Sequence, residues 1–145
     1  MIEGVLIEPL EVFSDKRGKV MHMMRSDAPY FKRFGEVYFS TLNPGIIKGW
    51  KKHSKMTQHF AVPVGTAKIV LYDERKSSIS KGEIQEVILG LENYFLLRIP
   101  QGVWYSFKAL NNSYAMVANC TDIPHDPNES VSIGIFDIRI PYKWK

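Results

Sequence analysis

Short segments rich in valine, isoleucine, tyrosine and phenylalanine recur along this chain, and turn-forming residues separate them. Many short strands at intervals of about 8–12 residues are typical of a β-sandwich or β-barrel. Predicted strands lie at 5–7, 19–24, 36–42, 60–64, 67–72, 84–89, 94–99 and 114–120. One segment differs, because Asp27 is expected to cap one or two helical turns at 28–34. The pattern predicts an all-β fold, with residues 1–145 forming a single barrel or jelly-roll domain.

Composition excludes several classes of protein. The 145 residues are enough to bury a core, and the single cysteine, Cys120, excludes an intramolecular disulfide or a cysteine-rich zinc site. No apolar run approaches the ~20 residues that span a bilayer, and an N-terminus with three early glutamates does not resemble a secretion signal. We therefore expect a cytoplasmic protein with no membrane partner.

The net charge of +4 is concentrated locally, because four lysines lie between positions 48 and 55. A nucleic-acid-binding protein would cluster its charge on one face or along one helix. A local patch suits a phosphate-bearing small molecule at least as well, although solvated surface lysines are the simpler alternative. We expect no nucleic-acid partner.

Residues 45–65, GIIKGWKKHSKMTQHFAVPVG, match the spacing of the metal-binding motif of cupin barrels. The three ligand positions, normally His, His and Glu, hold Lys51, His53 and Gln58. A fourth, which closes a Pro-x-Gly-x-x-His sequence, holds Tyr105. An ammonium has no lone pair for a cation, and one imidazole is not a metal site. We predict no metal and no cofactor.

Strand alternation predicts where these side chains point. Four are expected to point into the mouth of the barrel: Lys51, His53, Gln58 and Tyr105. Lys48 should point to the opposite face of its strand. A polar, positively charged, concave interior fits an anionic organic ligand. The alternative is that Lys51 pairs with a carboxylate and His53 is a hydrogen-bonded core histidine.

These motifs resemble those of the metal-free cupins of deoxysugar nucleotide biosynthesis, chiefly the dTDP-4-dehydrorhamnose 3,5-epimerase family. Residues 13–18, FSDKRG, resemble the family's Phe-x-Asp-x-Arg-Gly, and residues 48–50 stand where it has Arg-Gly-Leu before the catalytic His. Residues 99–104, IPQGVW, resemble Ile-Pro-x-Gly-Phe-Ala. A shorter, epimerase-like subgroup fits residues 49–57 and 117–127 more closely.

The resemblance implies a cupin double-stranded β-helix, a homodimer that exchanges edge strands, and a nucleotide-sugar substrate of the dTDP-4-keto-6-deoxysugar type. In the family, a His base removes a proton next to the ketone and a Tyr protonates the enolate from the other face. The base position here is Lys51, and the Tyr position falls near Ala118 or Asn119. Substrate contacts are implied for five residues: Arg17, His22, Lys48, Gln58 and Asn119.

Which residue is the base stays open at this point. A lysine serves as a base when burial and like charge lower its pKa, so Lys51 is one candidate. His53 is the other, because the ordinary pKa of histidine already suits the task. Tyr105 is expected to donate a proton or to stabilise an enolate oxygen.

The function also has alternatives. A 3,4-ketoisomerase of the related cupins would need only one base on one face of the sugar, and His53 matches the second position of its His-x-His pair. A catalytically degenerate module would keep nucleotide-sugar affinity after Lys51→Ala. A barrel retained only for structural pairing would bind no ligand in its mouth.

Overall fold

The computed structural model describes residues 1–145 as twelve β-strands without a helix. The strands are β1 (Leu6–Pro9), β2 (Val12–Asp15), β3 (Gly18–Met21), β4 (Glu36–Leu42), β5 (Ile47–His53), β6 (Gln58–Val64), β7 (Thr66–Asp73), β8 (Ile84–Gly90), β9 (Phe95–Ile99), β10 (Val103–Ala109), β11 (Ala115–Thr121) and β12 (Ser130–Ser132). No segment has the helical length and apolarity that a membrane-crossing helix requires.

Ten of the strands form two five-stranded antiparallel sheets. Sheet I has the order β1-β9-β6-β11-β4, and sheet II has the order β12-β5-β10-β7-β8; β2 and β3 form a separate hairpin. The main hydrophobic core lies between the sheets and includes Leu42 and Phe60 of sheet I and Ile69, Leu71 and Phe107 of sheet II. This arrangement is the jelly-roll architecture that the strand pattern predicts.

A second cluster covers the outer face of sheet II. The alternation of β7 puts Ile69 in the main core and Val70 on the other face, where it packs with Trp50, Trp104 and Ile140. The C-terminal residues close this cluster, and the indole Nε1 of Trp144 donates a hydrogen bond to Ser106 Oγ at 3.1 Å. The tail therefore packs against β5 and β10, the two strands that carry the candidate site residues of sheet II.

The helical turns predicted at 28–34 are absent, and that prediction is wrong. The segment contains only isolated reverse turns, such as the one closed by the hydrogen bond from Phe31 N to Ala28 O. Asp27 forms an ion pair with Arg25, with a distance of 2.7 Å from Arg25 Nη2 to Asp27 Oδ2, instead of capping backbone amides. Its carboxylate is thus engaged by a neighbouring cation.

Candidate active site

A cavity of about 250 Å³ lies between the sheets at one end of the barrel. Its wall includes six side chains that matter for chemistry or shape: Tyr38, Ser40, Lys48, Lys51, Tyr105 and Phe107. Those from β4 belong to sheet I, and those from β5 and β10 belong to sheet II. The cavity therefore presents groups to a ligand from two opposite walls.

Strand β5 is irregular at this cavity. Lys51 pairs with Tyr105 of β10, the register then shifts, and Ser106 pairs with Gly49. The intervening Trp50 is buried in the cluster on the outer face of sheet II. Because a bulge of this kind interrupts alternation, Lys48 lines the same cavity as Lys51. The expectation that Lys48 points to the opposite face is wrong for that reason.

His53 and Tyr105 form a buried pair. Tyr105 belongs to the cavity wall, and His53 lies behind it. The Nε2 atom of His53 lies 3.2 Å from the Tyr105 hydroxyl oxygen, and its Nδ1 atom is hydrogen-bonded to the carboxylate of Glu129. A carboxylate only accepts, so Nδ1 carries the proton and Nε2 accepts the hydrogen bond of Tyr105. The three residues form a chain from the cavity inward: Tyr105, His53, Glu129.

Glu129 is held firmly in this position. Besides His53, its carboxylate accepts hydrogen bonds from the backbone amides of Lys55 at 3.1 Å and Met56 at 3.2 Å. Sequence reasoning missed it, because no motif marks it and its contact with His53 spans 76 residues of chain. The only sequence feature that could have drawn attention to Glu129 is its position in the turn-rich segment after β11.

Burial sets the direction of the pKa shift for His53 and Tyr105, and hydrogen bonds set it for Glu129. Burial lowers the pKa of His53, against the opposing effect of Glu129, and it raises the pKa of Tyr105 above the ordinary value for a phenol. Burial alone would raise the pKa of Glu129, but the hydrogen bonds from His53 and the two backbone amides outweigh it and lower that pKa. At neutral pH the chain therefore holds a phenol, a neutral imidazole and a carboxylate.

The wall from sheet I contains a second hydrogen-bonded chain. The side-chain amide of Asn119 donates to the Tyr38 hydroxyl and to Gln58 Oε1, each at 2.9 Å. Asn119 and Tyr38 are direct cross-strand partners on β11 and β4. Since its hydroxyl accepts from Asn119, Tyr38 retains its own proton for a ligand. The sequence analysis did not single out Tyr38, although alternation along the predicted strand 36–42 points it inward with Leu42.

The structure gathers most of the predicted site residues but not all. Lys48, Lys51, His53, Gln58, Tyr105 and Asn119 lie at the cavity or in the two chains behind it. Arg17 lies at the tip of the β2–β3 hairpin, where Asp15 binds it at 2.6 Å and solvent surrounds it. His22 packs its ring against Phe13 and accepts a hydrogen bond from Tyr94 at its carbonyl. Within one chain neither residue reaches the cavity, and their substrate contacts stay predictions.

Metal ligands are not clustered in this chain. No group of three or more His, Cys, Asp or Glu side chains lies close enough together to hold a metal ion. The groups that face the cavity are instead phenols and ammonium groups. These are suited to donating and moving protons and to binding oxyanions.

Comparison with known proteins gives a consistent result over the full chain. The family model described as dTDP-4-dehydrorhamnose 3,5-epimerase matches residues 1–145. The spore coat polysaccharide biosynthesis protein SpsL of Bacillus subtilis is 33% identical over 99% of this chain and 97% of its own length. The probable low-salt glycan biosynthesis epimerase Agl13 of Haloferax volcanii is 32% identical over 97% of this chain and 88% of its own length.

A solved structure agrees with these sequence matches. The crystal structure of a dTDP sugar isomerase from Desulfovibrio desulfuricans G20 has a TM-score of 0.97 to this chain and 48% sequence identity. The match covers 99% of this chain and 92% of the other. The fold around the cavity is therefore shared along nearly the entire length of both proteins.

Proposed function

Because this chain belongs to the dTDP-4-dehydrorhamnose 3,5-epimerase family, we propose that its cavity binds the sugar of a dTDP-4-keto-6-deoxysugar and epimerises a carbon next to the ketone. The observation that carries this proposal is the pair of phenols on opposite walls, Tyr105 from sheet II and Tyr38 from sheet I. Inversion needs one group to remove a proton from one face and another to return it from the opposite face.

The size of the cavity supports binding of the sugar alone. At about 250 Å³ it falls below the ~300–1,000 Å³ typical of pockets that enclose a whole drug-sized ligand. The nucleotide would then lie outside the cavity, at its rim. Lys48 is exposed there, and its ammonium is held in place by donating to Thr41 O at 2.7 Å. We assign it to the diphosphate.

Tyr105 removes the proton from the substrate carbon and passes its own phenolic proton to His53. As the substrate C–H bond breaks, its electron pair forms the enolate and the proton passes to the phenolic oxygen of Tyr105. The phenolic proton moves at the same time to His53 Nε2, 3.2 Å away. Glu129 stabilises the imidazolium that forms. This concerted route avoids a free tyrosinate, which the burial of Tyr105 disfavours.

Lys51 is proposed to act on the ketone oxygen. It lies directly opposite Tyr105 on the neighbouring strand and lines the same cavity. An ammonium in this position donates a hydrogen bond to the ketone and stabilises the negative charge that develops on the enolate oxygen. This role differs from that of a base, because it needs the charged form of Lys51.

Tyr38 completes the inversion by donating its phenolic proton to the enolate carbon from the wall of sheet I. Its hydroxyl accepts from Asn119, and its own proton is available to the cavity. The hydrogen bond from Asn119 stabilises the tyrosinate that remains, which regains a proton from solvent while the His53 imidazolium releases one. If the proton instead returned from Tyr105 on the same face, the product would be a 3,4-ketoisomer or the unchanged substrate with exchanged hydrogen. The products therefore distinguish the two enzyme activities.

The homodimer is part of the proposal, and the cytoplasmic location stays a prediction. The β2–β3 hairpin pairs with no other strand of the chain, and its Phe13 and Val20 side chains are exposed. A second copy that receives this hairpin would bury these apolar groups. It would also bring Arg17 of one protomer to the nucleotide bound by the other. Light scattering of the purified protein tests the dimer, and Arg17→Ala should then raise KM more than it lowers kcat.

Deuterium exchange followed by NMR tests the activity. The protein is incubated in heavy water with a dTDP-4-keto-6-deoxysugar, and the C3 and C5 proton signals are followed over time. We expect enzyme-dependent loss of one signal and a product inverted at that carbon. Lys51→Met should abolish exchange, whereas the control Lys52→Met should not, because Lys52 is bound to Glu74 and lies over Trp104 outside the cavity.

Three other outcomes of the deuterium-exchange experiment would contradict the epimerase proposal. Exchange without inversion, accompanied by a 3-keto product, overturns the epimerase in favour of the ketoisomerase. Binding without exchange leaves a sugar-nucleotide-binding module. If the ligand neither binds nor exchanges, the proposed substrate is wrong.

A further inference from the structure

A second cavity, of about 230 Å³, lies on the outer face of sheet I. It shares no lining residue with the cavity between the sheets. His59 contributes to its wall from β6, and its neighbour Gln58 belongs to the hydrogen-bonded chain of the inner site. The two cavities are thus on opposite faces of the same strand.

The ring of His59 is buried in this wall with one nitrogen unpaired. Only 6% of the residue is exposed. Its Nδ1 atom is 2.9 Å from the carbonyl oxygen of Cys120, which can only accept, so Nδ1 carries the proton. The Nε2 atom then has a lone pair, and it has no hydrogen-bond partner within the chain. A buried acceptor without a donor is costly, and it calls for a ligand or water that donates.

Charged groups line the same cavity as His59. Arg98 and Lys32 line the cavity with two positive charges, and Asp122 contributes one negative charge. Arg98 donates from Nε to Gly4 O, which leaves the terminal nitrogens of its guanidinium to face a ligand. Asp122 accepts from the Thr57 amide through Oδ1 at 2.8 Å. The surroundings therefore attract an anion and also provide two acceptors for a hydroxyl donor.

We propose that this outer cavity binds a phosphate group that carries a proton, with Arg98 and Lys32 on its charged oxygens and its P–OH donating to His59 Nε2. Tyr30 fixes the acceptor, because its ring stacks on that of His59 with the centroids 6.3 Å apart. Asp122 adds selectivity, since a carboxylate repels an anion that has no proton to share. Inorganic phosphate at neutral pH retains such a proton, whereas sulfate does not.

The test compares phosphate with sulfate on the same protein. Protein labelled with ¹⁵N in its histidine rings is titrated with sodium phosphate, and separately with sodium sulfate, at pH 7.5 and matched ionic strength. We expect a saturable shift of the His59 Nε2 resonance with phosphate and binding at least 10-fold weaker with sulfate. The His53 ring, on the other face of the sheet, should not respond. A third titration uses a sugar 1-phosphate, whose phosphate has mostly lost its second proton at pH 7.5. It should bind as weakly as sulfate, and binding as tight as that of inorganic phosphate would overturn the role of the P–OH.

His59→Phe provides the matched variant, because it keeps an aromatic ring against Tyr30 and removes the acceptor. Because this variant lacks the His59 resonance, its anion affinities are measured by isothermal titration calorimetry, which should show no preference for phosphate over sulfate while Arg98 and Lys32 still attract both anions. Equal affinity for the two anions in the original protein, or a shift confined to the His53 ring, would overturn the proposal. The titration of the original protein decides the matter even if the variant does not fold. Either result is independent of the sugar site, whose activity is measured separately.

Discussion

The His53 Nε2 atom lies 3.2 Å from the Tyr105 hydroxyl, and the two rings are nearly parallel, with an interplanar angle of 5°. Both residues are buried, but only Tyr105 lines the cavity. The phenol therefore stands between the imidazole and a bound sugar. In the proposed reaction, Tyr105 touches the substrate, whereas His53 finally holds the proton.

Tyr105→Phe should remove the proton transfer and keep the fold. The ring still packs against Phe60 and Phe107, so the loss is confined to one hydroxyl. Loss of a positioned proton carrier costs about 10²–10⁴-fold in rate, and we expect that fall in deuterium exchange. Tyr94→Phe is the matched control, since its hydroxyl donates to a backbone carbonyl away from the cavity. Undiminished exchange in Tyr105→Phe would remove Tyr105 from the mechanism.

Glu129→Gln should change the pH dependence of the reaction as well as its rate. The carboxylate of Glu129 favours the protonated form of His53 and so opposes the lowering of its pKa by burial. Without that charge the pKa of His53 falls further, and the acid limb of the kcat/KM profile should move to lower pH. The rate should fall by about 10²-fold or more, because the imidazolium loses its counter-ion.

Glu74→Gln serves as the control for Glu129→Gln. Glu74 pairs with Lys52 on the outer face of the barrel, so its loss should leave the pH profile in place. A slower Glu129→Gln enzyme with an unmoved acid limb would indicate a purely structural role for Glu129.

The spacing of the cupin motif was enough to predict that four residues of the site would lie close together. Lys51, His53, Gln58 and Tyr105 occupy fixed positions on strands, and the closure of a jelly roll brings those strands together. Their association follows from topology and needs no knowledge of side-chain contacts. Lys51 and Tyr105 line the cavity, whereas His53 and Gln58 lie in the hydrogen-bonded chains behind its walls, and the roles of all four residues stay predictions.

Two features of the site, the direction of Lys48 and the contact of Glu129 with His53, depend on tertiary structure that local sequence patterns do not encode. The direction of Lys48 follows from the shift in register between Tyr105 and Ser106, at which Trp50 lies buried in the cluster under the tail. Glu129 reaches His53 through a long connection after β11, and neither strand alternation nor motif spacing determines its path. Non-local contacts of this kind were absent from the prediction.

The pH dependence of stability should reflect two buried histidines. Burial lowers the pKa of both His53 and His59 from the ordinary value of 6.5. The unfolded chain therefore binds protons that the folded chain excludes, so stability is complete above pH 6.5 and falls as the pH drops toward the folded pKa values. Each histidine contributes a slope of up to about 1.4 kcal/mol per pH unit in that interval.

Urea unfolding at pH 7.5, 6.5 and 5.5 measures this slope in the free energy of unfolding. His59→Phe removes one of the two groups, so its slope over the same interval should be about half that of the original protein. A free energy that stays constant from pH 7.5 to 5.5 would contradict the exclusion of protons from the two rings.

Gly49→Ala should disturb the cavity through crowding at the bulge of β5. Gly49 has φ of +125°, and a Cβ atom there would lie 2.8 Å from the Cα atom of Ser106. Gly45→Ala is the matched control, because its φ is +78° and a Cβ would meet nothing within 4 Å. The positive φ lowers the free energy of unfolding of both variants by about 1 kcal/mol. Only in Gly49→Ala must the new methyl group also push β5 away from β10. We therefore expect thermal unfolding to show the larger loss of stability for Gly49→Ala, together with a higher KM because Lys48 and Lys51 flank the displaced residue. Equal melting temperatures for the two variants would mean that β5 and β10 have room to separate.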